Sequence, residues 1–230
     1  MMTSSIPPWA NLALALAGPL VVAMLGTQFF RIRGLASHAF GLAAIVLIVL
    51  SVYAFAIYGE GYALRRLGFS RSSWLLTPLL GPALAAFYIL VFGPLTFRVL
   101  AKFNAGDFRK GLDAARQLPT AYLVLTVLLV APAEELLYRA YAIERVADLT
   151  GSYALAAAIS IVAFTLAHVP MWGWGAALST AVSGGIATLF YLWRPDVVAL
   201  IIAHVTTDLY GIVLVPYLGR RPVIDKITKD

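Results

Sequence analysis

Cysteine is absent from this chain, and charged residues make up only 12% of its 230 positions. The absence of cysteine excludes a disulfide framework, a cysteine-ligated zinc and a cysteine nucleophile. The scarcity of charge, together with 61% apolar residues and a mean hydropathy of +0.87, excludes an ordinary soluble domain. The composition therefore predicts a polytopic integral membrane protein.

Seven apolar runs are each long enough, at about 20 residues, to cross about 30 Å of hydrocarbon. They are Trp9–Phe30, Ala36–Tyr58, Trp74–Leu100, Thr120–Tyr141, Ser152–His168, Gly173–Trp193 and Val197–Tyr217. We therefore predict an all-α transmembrane helical bundle of about seven spans, with residues 1–230 forming a single integral membrane domain. The Gly93-Pro94 pair could break the third span, because proline lacks a backbone donor and clashes with the preceding turn.

The net charge of +6 is spread over the loops and the tail without interleaved aromatic residues. This distribution is typical of the positive flanks of membrane spans and argues against nucleic-acid binding. Counting Lys and Arg on alternate loops favours an internal C-terminus and an external N-terminus. The first apolar run has no basic segment before it, so we expect a retained anchor rather than a cleavable signal. The small loops and the high alanine and leucine content suggest a bacterial inner membrane.

Lys102 to Pro119 is a polar segment between the third and fourth spans. Its irregular alternation of apolar and charged residues indicates either a short interfacial helix or a solvated connector. Two glycines within it, Gly106 and Gly111, weaken the helical reading. Neither reading adds a soluble domain.

Two adjacent glutamates and an arginine lie in the middle of the fourth apolar run. Ionisable groups at such depth cost several kcal/mol unless they are paired or wet, so they are functional-site candidates by default. Glu135 and Arg139 are one helical turn apart and can pair on one face. Glu134 points about 100° away from that pair. We therefore expect Glu134 to face a cavity inside the bundle.

Two of the three histidines also lie in predicted spans. His168 follows Phe164 by one helical turn, and His204 precedes Asp208 by one turn, so each pair shares a helix face. A single histidine in a helix is usually a hydrogen-bonded interior residue. Two of them, in helices otherwise short of polar groups and accompanied by Glu134, indicate a common site.

More than one chemistry could use this set. Glu134 could act as a general base on a water molecule. His168 could share that water and later donate a proton to a leaving amine. His204 could stabilise the oxyanion of a tetrahedral intermediate, with Asp208 orienting His204 or, if protonated, donating a bond. Alternatively, Glu134, His168 and His204 could hold a catalytic zinc with one open position. The residues alone leave these two mechanisms open.

Other intramembrane proteolytic chemistries fit less well. A serine dyad has its nearest match at Ser183-Gly184-Gly185, but Ala181 stands where a preceding glycine is expected. A paired-aspartate mechanism needs two aspartates inside the membrane, and only Asp208 qualifies. The HExxH helix of zinc proteases is absent.

The motifs resemble those of the CPBP family of intramembrane endopeptidases, the CAAX proteases and bacteriocin-processing proteins also called ABI or Rce1-like. The family's EExxxR, FxxxH and HxxxN or HxxxD motifs appear here in order as Glu134-Glu135-Leu-Leu-Tyr-Arg139, Phe164-Thr-Leu-Ala-His168 and His204-Val-Thr-Thr-Asp208. The resemblance implies a conserved-type peptidase core at residues 119–217. Asp208 replaces the asparagine of prenyl-protein relatives, and an ionised aspartate cannot donate a hydrogen bond.

The resemblance implies a glutamate-dependent peptidase with Glu134, His168, His204 and Asp208 as catalytic residues. Glu135, Arg139 and Phe164 would support them. We expect hydrolysis of a peptide bond in a membrane-embedded or lipid-anchored substrate within the bilayer, with no obligatory cofactor, zinc being the alternative. A non-catalytic role in bacteriocin self-immunity or scaffolding, and a proton-coupled transporter, are the competing hypotheses. No inverted repeat supports the transporter.

Overall fold

A computed structural model describes residues 7–33, 35–69, 75–100 and 117–215. These residues form helices and short connections, without a strand among them. The helices are α1 Pro8–Arg33, α2 Leu35–Tyr58, α3 Thr77–Phe87, α4 Gly93–Leu100, α5 Thr120–Glu134, α6 Glu144–Thr150, α7 Tyr153–Trp193 and α8 Val197–Asp208. Three π-helical stretches join or extend them: Tyr88–Phe92 between α3 and α4, Glu135–Ile143 between α5 and α6, and Leu209–Leu214 after α8.

Six helices in the described part of the chain are long and apolar enough to cross a membrane. One of them, α7, has 41 residues, about twice the length that one crossing needs. It folds back on itself at Gly173, whose φ of 76° and ψ of 171° are not helical. A Cβ placed on Gly185 would lie 3.9 Å from Ile161 Cδ1, so the two halves pack antiparallel. The predicted all-α bundle of about seven spans is confirmed, with the fifth and sixth spans forming this hairpin.

The third span does not end at the Gly93-Pro94 pair. A π-helical stretch precedes the pair, and the Gly93 N–H donates to the Tyr88 carbonyl. The wider turn accommodates the proline without terminating the helix, and α4 continues to Leu100. The segment after it, predicted as an interfacial helix or connector, falls largely on residues 101–116, which lie outside the described residues.

The fourth span, comprising α5, the stretch Glu135–Ile143 and α6, lies at the centre of the bundle. Within Glu135–Ile143 every residue except Leu136 is buried. The first half of α7 is tied to it by Ser160, whose hydroxyl donates to the Tyr138 carbonyl at 2.7 Å. Glu135 and Arg139 are therefore enclosed by other helices rather than exposed to lipid.

A second polar group of side chains lies at the far end of the fourth span, where the connection after α2 meets α6. Asp148 accepts hydrogen bonds from both the Tyr62 hydroxyl and Arg66. Arg145 lies 3.6 Å from Glu60. Burial, reinforced by the bond to Asp148, raises the pKa of Tyr62 to about 12. These contacts anchor the connection to the end of the bundle.

Candidate active site

The two adjacent glutamates lie where the fourth span changes from α-helix to π-helix. Glu134 is the last residue of α5, and Glu135 begins the π-helical stretch. Such wide turns are uncommon and occur often at functional sites. They change the directions in which successive side chains leave the helix. The change from α-helix to π-helix therefore occurs at Glu134 and Glu135, the two glutamates of the EExxxR motif.

Glu135 lies at the centre of a buried charge network. Its Oε1 accepts from Arg139 Nη1 at 3.3 Å and lies 2.8 Å from His204 Nδ1. Glu135 is 2% exposed and Arg139 1% exposed. A buried carboxylate of this kind is tolerable because a cation and a second donor compensate it. Glu135 therefore joins the EExxxR and HxxxD motifs across the helix interface.

Glu134 faces the two imidazoles. Its Oε1 lies 3.7 Å from His168 Nε2, and its Oε2 lies 3.7 Å from His204 Nε2. Both separations are too long for direct hydrogen bonds. They are short enough for a water molecule to bind the carboxylate and an imidazole together. The structure thus brings Glu134, His168 and His204 to one point, with the glutamate between the two rings.

The backbone fixes the orientation of His168. Its Nδ1 lies 2.8 Å from the carbonyl oxygen of Phe164, which can only accept, so Nδ1 carries the proton. In the neutral ring, Nε2 then presents a lone pair toward Glu134. The ring also lies against Phe164, with 4.4 Å between centroids. His168 can consequently exchange a proton at Nε2, the atom that faces the glutamate.

His204 is oriented by two carboxylates on opposite sides of its ring. Nδ1 donates toward Glu135, whereas Nε2 lies 3.6 Å from Asp208 Oδ2 as well as near Glu134. The Asp208 side chain is 33% exposed and that of Glu135 only 3%. Carboxyl oxygens of neighbouring side chains thus face both ring nitrogens of His204. A protonated His204 can donate from Nε2.

Arg139 reaches two groups that sequence reasoning did not connect to it. Its Nη2 donates to the Gly184 carbonyl at 3.2 Å, and its guanidinium lies 4.0 Å from the centre of the Phe164 ring. Phe164, predicted as a supporting residue, is thus placed between the arginine and His168. Gly184 is a residue that the motifs missed. The only signal for it was the small Gly184-Gly185 pair in an apolar span, which is typical of close helix packing.

Two alternative chemistries can be compared with this geometry. Ser183, the candidate serine nucleophile, donates its hydroxyl to the Thr180 carbonyl of its own helix at 3.1 Å, and it has no described contact with an imidazole. Among the described residues, no three histidine, aspartate or glutamate side chains are gathered in an arrangement that would hold a metal ion. Glu134, His168 and His204, the predicted alternative zinc ligands, lie at the distances given above.

The fold and the site define a class: a multi-pass helical membrane protein with a glutamate, whose side chain is 15% exposed, placed between two histidines. A family model described as type II CAAX prenyl endopeptidase Rce1-like matches residues 116–210. The match confirms the resemblance carried by the three motifs and supports, at family level, a CAAX-type membrane peptidase. The matched region begins just before the fourth span and ends inside the last one, so the first three spans lie outside it. Comparisons with curated proteins and with solved structures gave no match.

Proposed function

We propose that this protein is an intramembrane endopeptidase in which Glu134 activates water for attack on a peptide carbonyl. The observation that supports the proposal most directly is the position of Glu134 between the Nε2 atoms of His168 and His204, at 3.7 Å from each. A general base must lie within reach of its water and of the groups that assist it. The short distances among these three side chains support this role for Glu134.

The proposed roles are based on which atoms of the three side chains face one another. Glu134 takes a proton from water as the water oxygen bonds to the carbonyl carbon. In the reacting state His204 carries protons on both ring nitrogens and donates a hydrogen bond from Nε2 to the oxyanion. The C–N bond then breaks, and the leaving amine receives a proton through Glu134 or His168. Asp208 and Glu135 position His204, while Arg139 compensates the charge of Glu135.

The substrate class follows from the depth of the site. Glu134 is 14 residues from the start of α5 at Thr120, which corresponds to about 21 Å along a helix, within the roughly 30 Å of hydrocarbon. A peptide bond that reaches this depth belongs to a membrane-embedded or lipid-anchored segment. We propose such segments as substrates, in a bacterial inner membrane.

We propose that the reaction needs no obligatory metal. The Nε2 atoms of His168 and His204 both lie near the Glu134 carboxyl group, so these three side chains can perform the proton transfers themselves. A zinc bound by Glu134, His168 and His204 would supply a different activation of the same water, by lowering its pKa. The two versions predict opposite responses to chelation.

The test compares peptide termini in host membranes after incubation with purified wild-type protein and with Glu134→Gln. New termini that appear only with the wild type would establish the peptidase and identify its substrates. Identical termini, from a Glu134→Gln protein and a wild type that are both folded, would overturn the proposal. The remaining candidates would then be the self-immunity or scaffolding role and the proton-coupled transporter, and a proton-flux measurement in liposomes would separate these two.

A further inference from the structure

Gly184 lies against both Arg139 and Phe164, two of the residues that support the candidate site. We infer that Gly184 is a positioning residue: because it has no side chain, the second half of α7 approaches Arg139 and Phe164 closely enough to align both imidazoles on Glu134. The inference rests on the proposed function and deepens it, by adding a residue outside the three motifs. Its evidence is a pair of contact paths that begin at this one glycine.

The first path leads to His204. The Gly184 carbonyl accepts from Arg139 Nη2 at 3.2 Å, and Arg139 Nη1 donates to Glu135 at 3.3 Å. The same Glu135 oxygen lies 2.8 Å from His204 Nδ1. Every member of this path before the imidazole is buried. A displacement of Arg139 would therefore move the carboxylate that fixes the orientation of the His204 ring.

The second path leads to His168. The Phe164 ring lies directly beside Gly184, and its backbone carbonyl fixes His168 Nδ1 at 2.8 Å. The rings of Phe164 and His168 are 4.4 Å apart at their centroids. Phe164 is only 4% exposed, so its ring has no solvent space to enter. A displacement of Phe164 would be transmitted to the His168 ring.

A side chain at position 184 would obstruct both paths at once. Its Cβ would lie 2.8 Å from Phe164 Cδ1 and 3.0 Å from Arg139 Nη2. Carbon atoms make favourable contacts at about 3.5–4.0 Å, so the phenyl ring, the guanidinium or the helix would have to move. Tightly packed interiors absorb such volume only by shifting their neighbours. Here the neighbours are the groups that hold the two histidines.

Tyr88 also contacts this part of α7. Its hydroxyl donates to the carbonyl of Ser183 at 2.8 Å, one residue before Gly184. Tyr88 begins the π-helical stretch of the third span and lies outside the region of the family match. The first half of the chain therefore helps to set the position of Gly184 through this contact.

Gly185 provides a matched control. It is adjacent in the same helix, and replacing either glycine by alanine raises the helix propensity equally. A Cβ on Gly185 would lie 3.9 Å from Ile161 Cδ1, an ordinary contact. Gly185→Ala and Gly184→Ala therefore differ mainly in whether the new methyl group meets Phe164 and Arg139.

The test uses ¹⁵N-histidine NMR on the full-length protein in detergent, which reads the imidazoles without any substrate. The chain has three histidines, and His38, whose ring lies against Tyr122, serves as an internal reference. We expect Gly184→Ala to shift the ring-nitrogen resonances and titration curves of His168 and His204, with His38 unchanged. We expect Gly185→Ala to change none of them. Unchanged His168 and His204 signals in Gly184→Ala, or equal changes in both variants, would overturn the inference.

If Gly184→Ala does not fold, Tyr88→Phe decides the matter, with the exposed Tyr58→Phe as its control. Loss of the Tyr88 hydroxyl should produce smaller changes at the same two histidines, and their absence would overturn the inference. Once a substrate is identified, Gly184→Ala should lower kcat by about 10- to 100-fold with little change in KM, because small misplacements of catalytic groups carry such costs. Failure of the proposed function would appear separately, as wild-type protein that generates no Glu134-dependent termini.

Discussion

The imidazole of His204 is held by Glu135, whose Oε1 lies 2.8 Å from Nδ1. The second glutamate of the EExxxR motif therefore belongs to the histidine of the last motif as much as to its own arginine. The adjacent residues Glu134 and Glu135 are chemically identical, but their contacts give them different roles. Glu134 faces the space where water and substrate would react, and Glu135 fixes the ring beside that space.

These different roles predict different effects for the two glutamine substitutions. Glu135→Gln should lower the free energy of unfolding by about 3–5 kcal/mol, because it leaves buried Arg139 without a counter-charge. Glu134→Gln should leave the unfolding midpoint near that of the wild type while abolishing peptide cleavage. Thermal unfolding in detergent, followed by tryptophan fluorescence, measures the difference. Equal destabilisation by the two substitutions would contradict this division of roles.

Asp208 should be replaceable by asparagine. Because Glu135 orients His204 from the other side, Asp208→Asn should retain kcat within about tenfold, whereas His204→Ala should lose about 10²- to 10³-fold through loss of an oxyanion donor. The comparison needs kcat for both variants on a substrate found by the terminus comparison. A loss in Asp208→Asn as large as that in His204→Ala would mean that the aspartate charge itself is required.

Chelation should leave the activity intact. We expect dialysis against EDTA or 1,10-phenanthroline to change kcat little, and elemental analysis to find zinc below one ion per chain. A known zinc protease in the same detergent would verify that the chelators act. Loss of activity that added zinc restores would instead assign Glu134, His168 and His204 as metal ligands.

The burial of Tyr62, together with its hydrogen bond to Asp148, should make stability fall at alkaline pH. The pKa of Tyr62 is raised from 10.0 to about 12 in the folded protein, so the folded state retains the proton more strongly than the unfolded state. This contribution is fully present below pH 10 and is lost as the pH rises toward 12. Tyr62→Phe should therefore show a shallower loss of unfolding midpoint between these pH values. Parallel curves for wild type and variant would contradict the assignment.

Much of the fold could be predicted from composition and apolar run length, because lipid requires every backbone group to be satisfied within a helix. The two runs Ser152–His168 and Gly173–Trp193 were correctly separated, although the helices meet at a single non-helical residue, Gly173. Spacing also predicted which residues share a helix face, as with Glu135 and Arg139. These properties are local, so they can be predicted from residues that are close together in the sequence.

Contacts across helices could not be predicted in the same way. The bond between Glu135 and His204 joins positions 69 residues apart, and the contact of Arg139 with Gly184 joins positions 45 apart. Both depend on how closely the helices approach, which is a property of packing rather than of spacing. The π-helical stretch Glu135–Ile143 could not be predicted either, because no residue type in its sequence, ELLYRAYAI, favours a wide helical turn over an ordinary one.

That stretch also holds one residue more than an ordinary α-helical turn would. A π-helical turn takes up such a residue inside the helix, so the α-helical segments on either side keep their directions. Removing one residue between Glu135 and Ile143 would therefore let the segment relax toward an ordinary α-helix. The side chains that would turn are those inside the stretch, among them Arg139 and Tyr141, which bond to Glu135 and to Glu60. The extra residue thus sets the directions of these buried groups, while both ends of the span keep theirs.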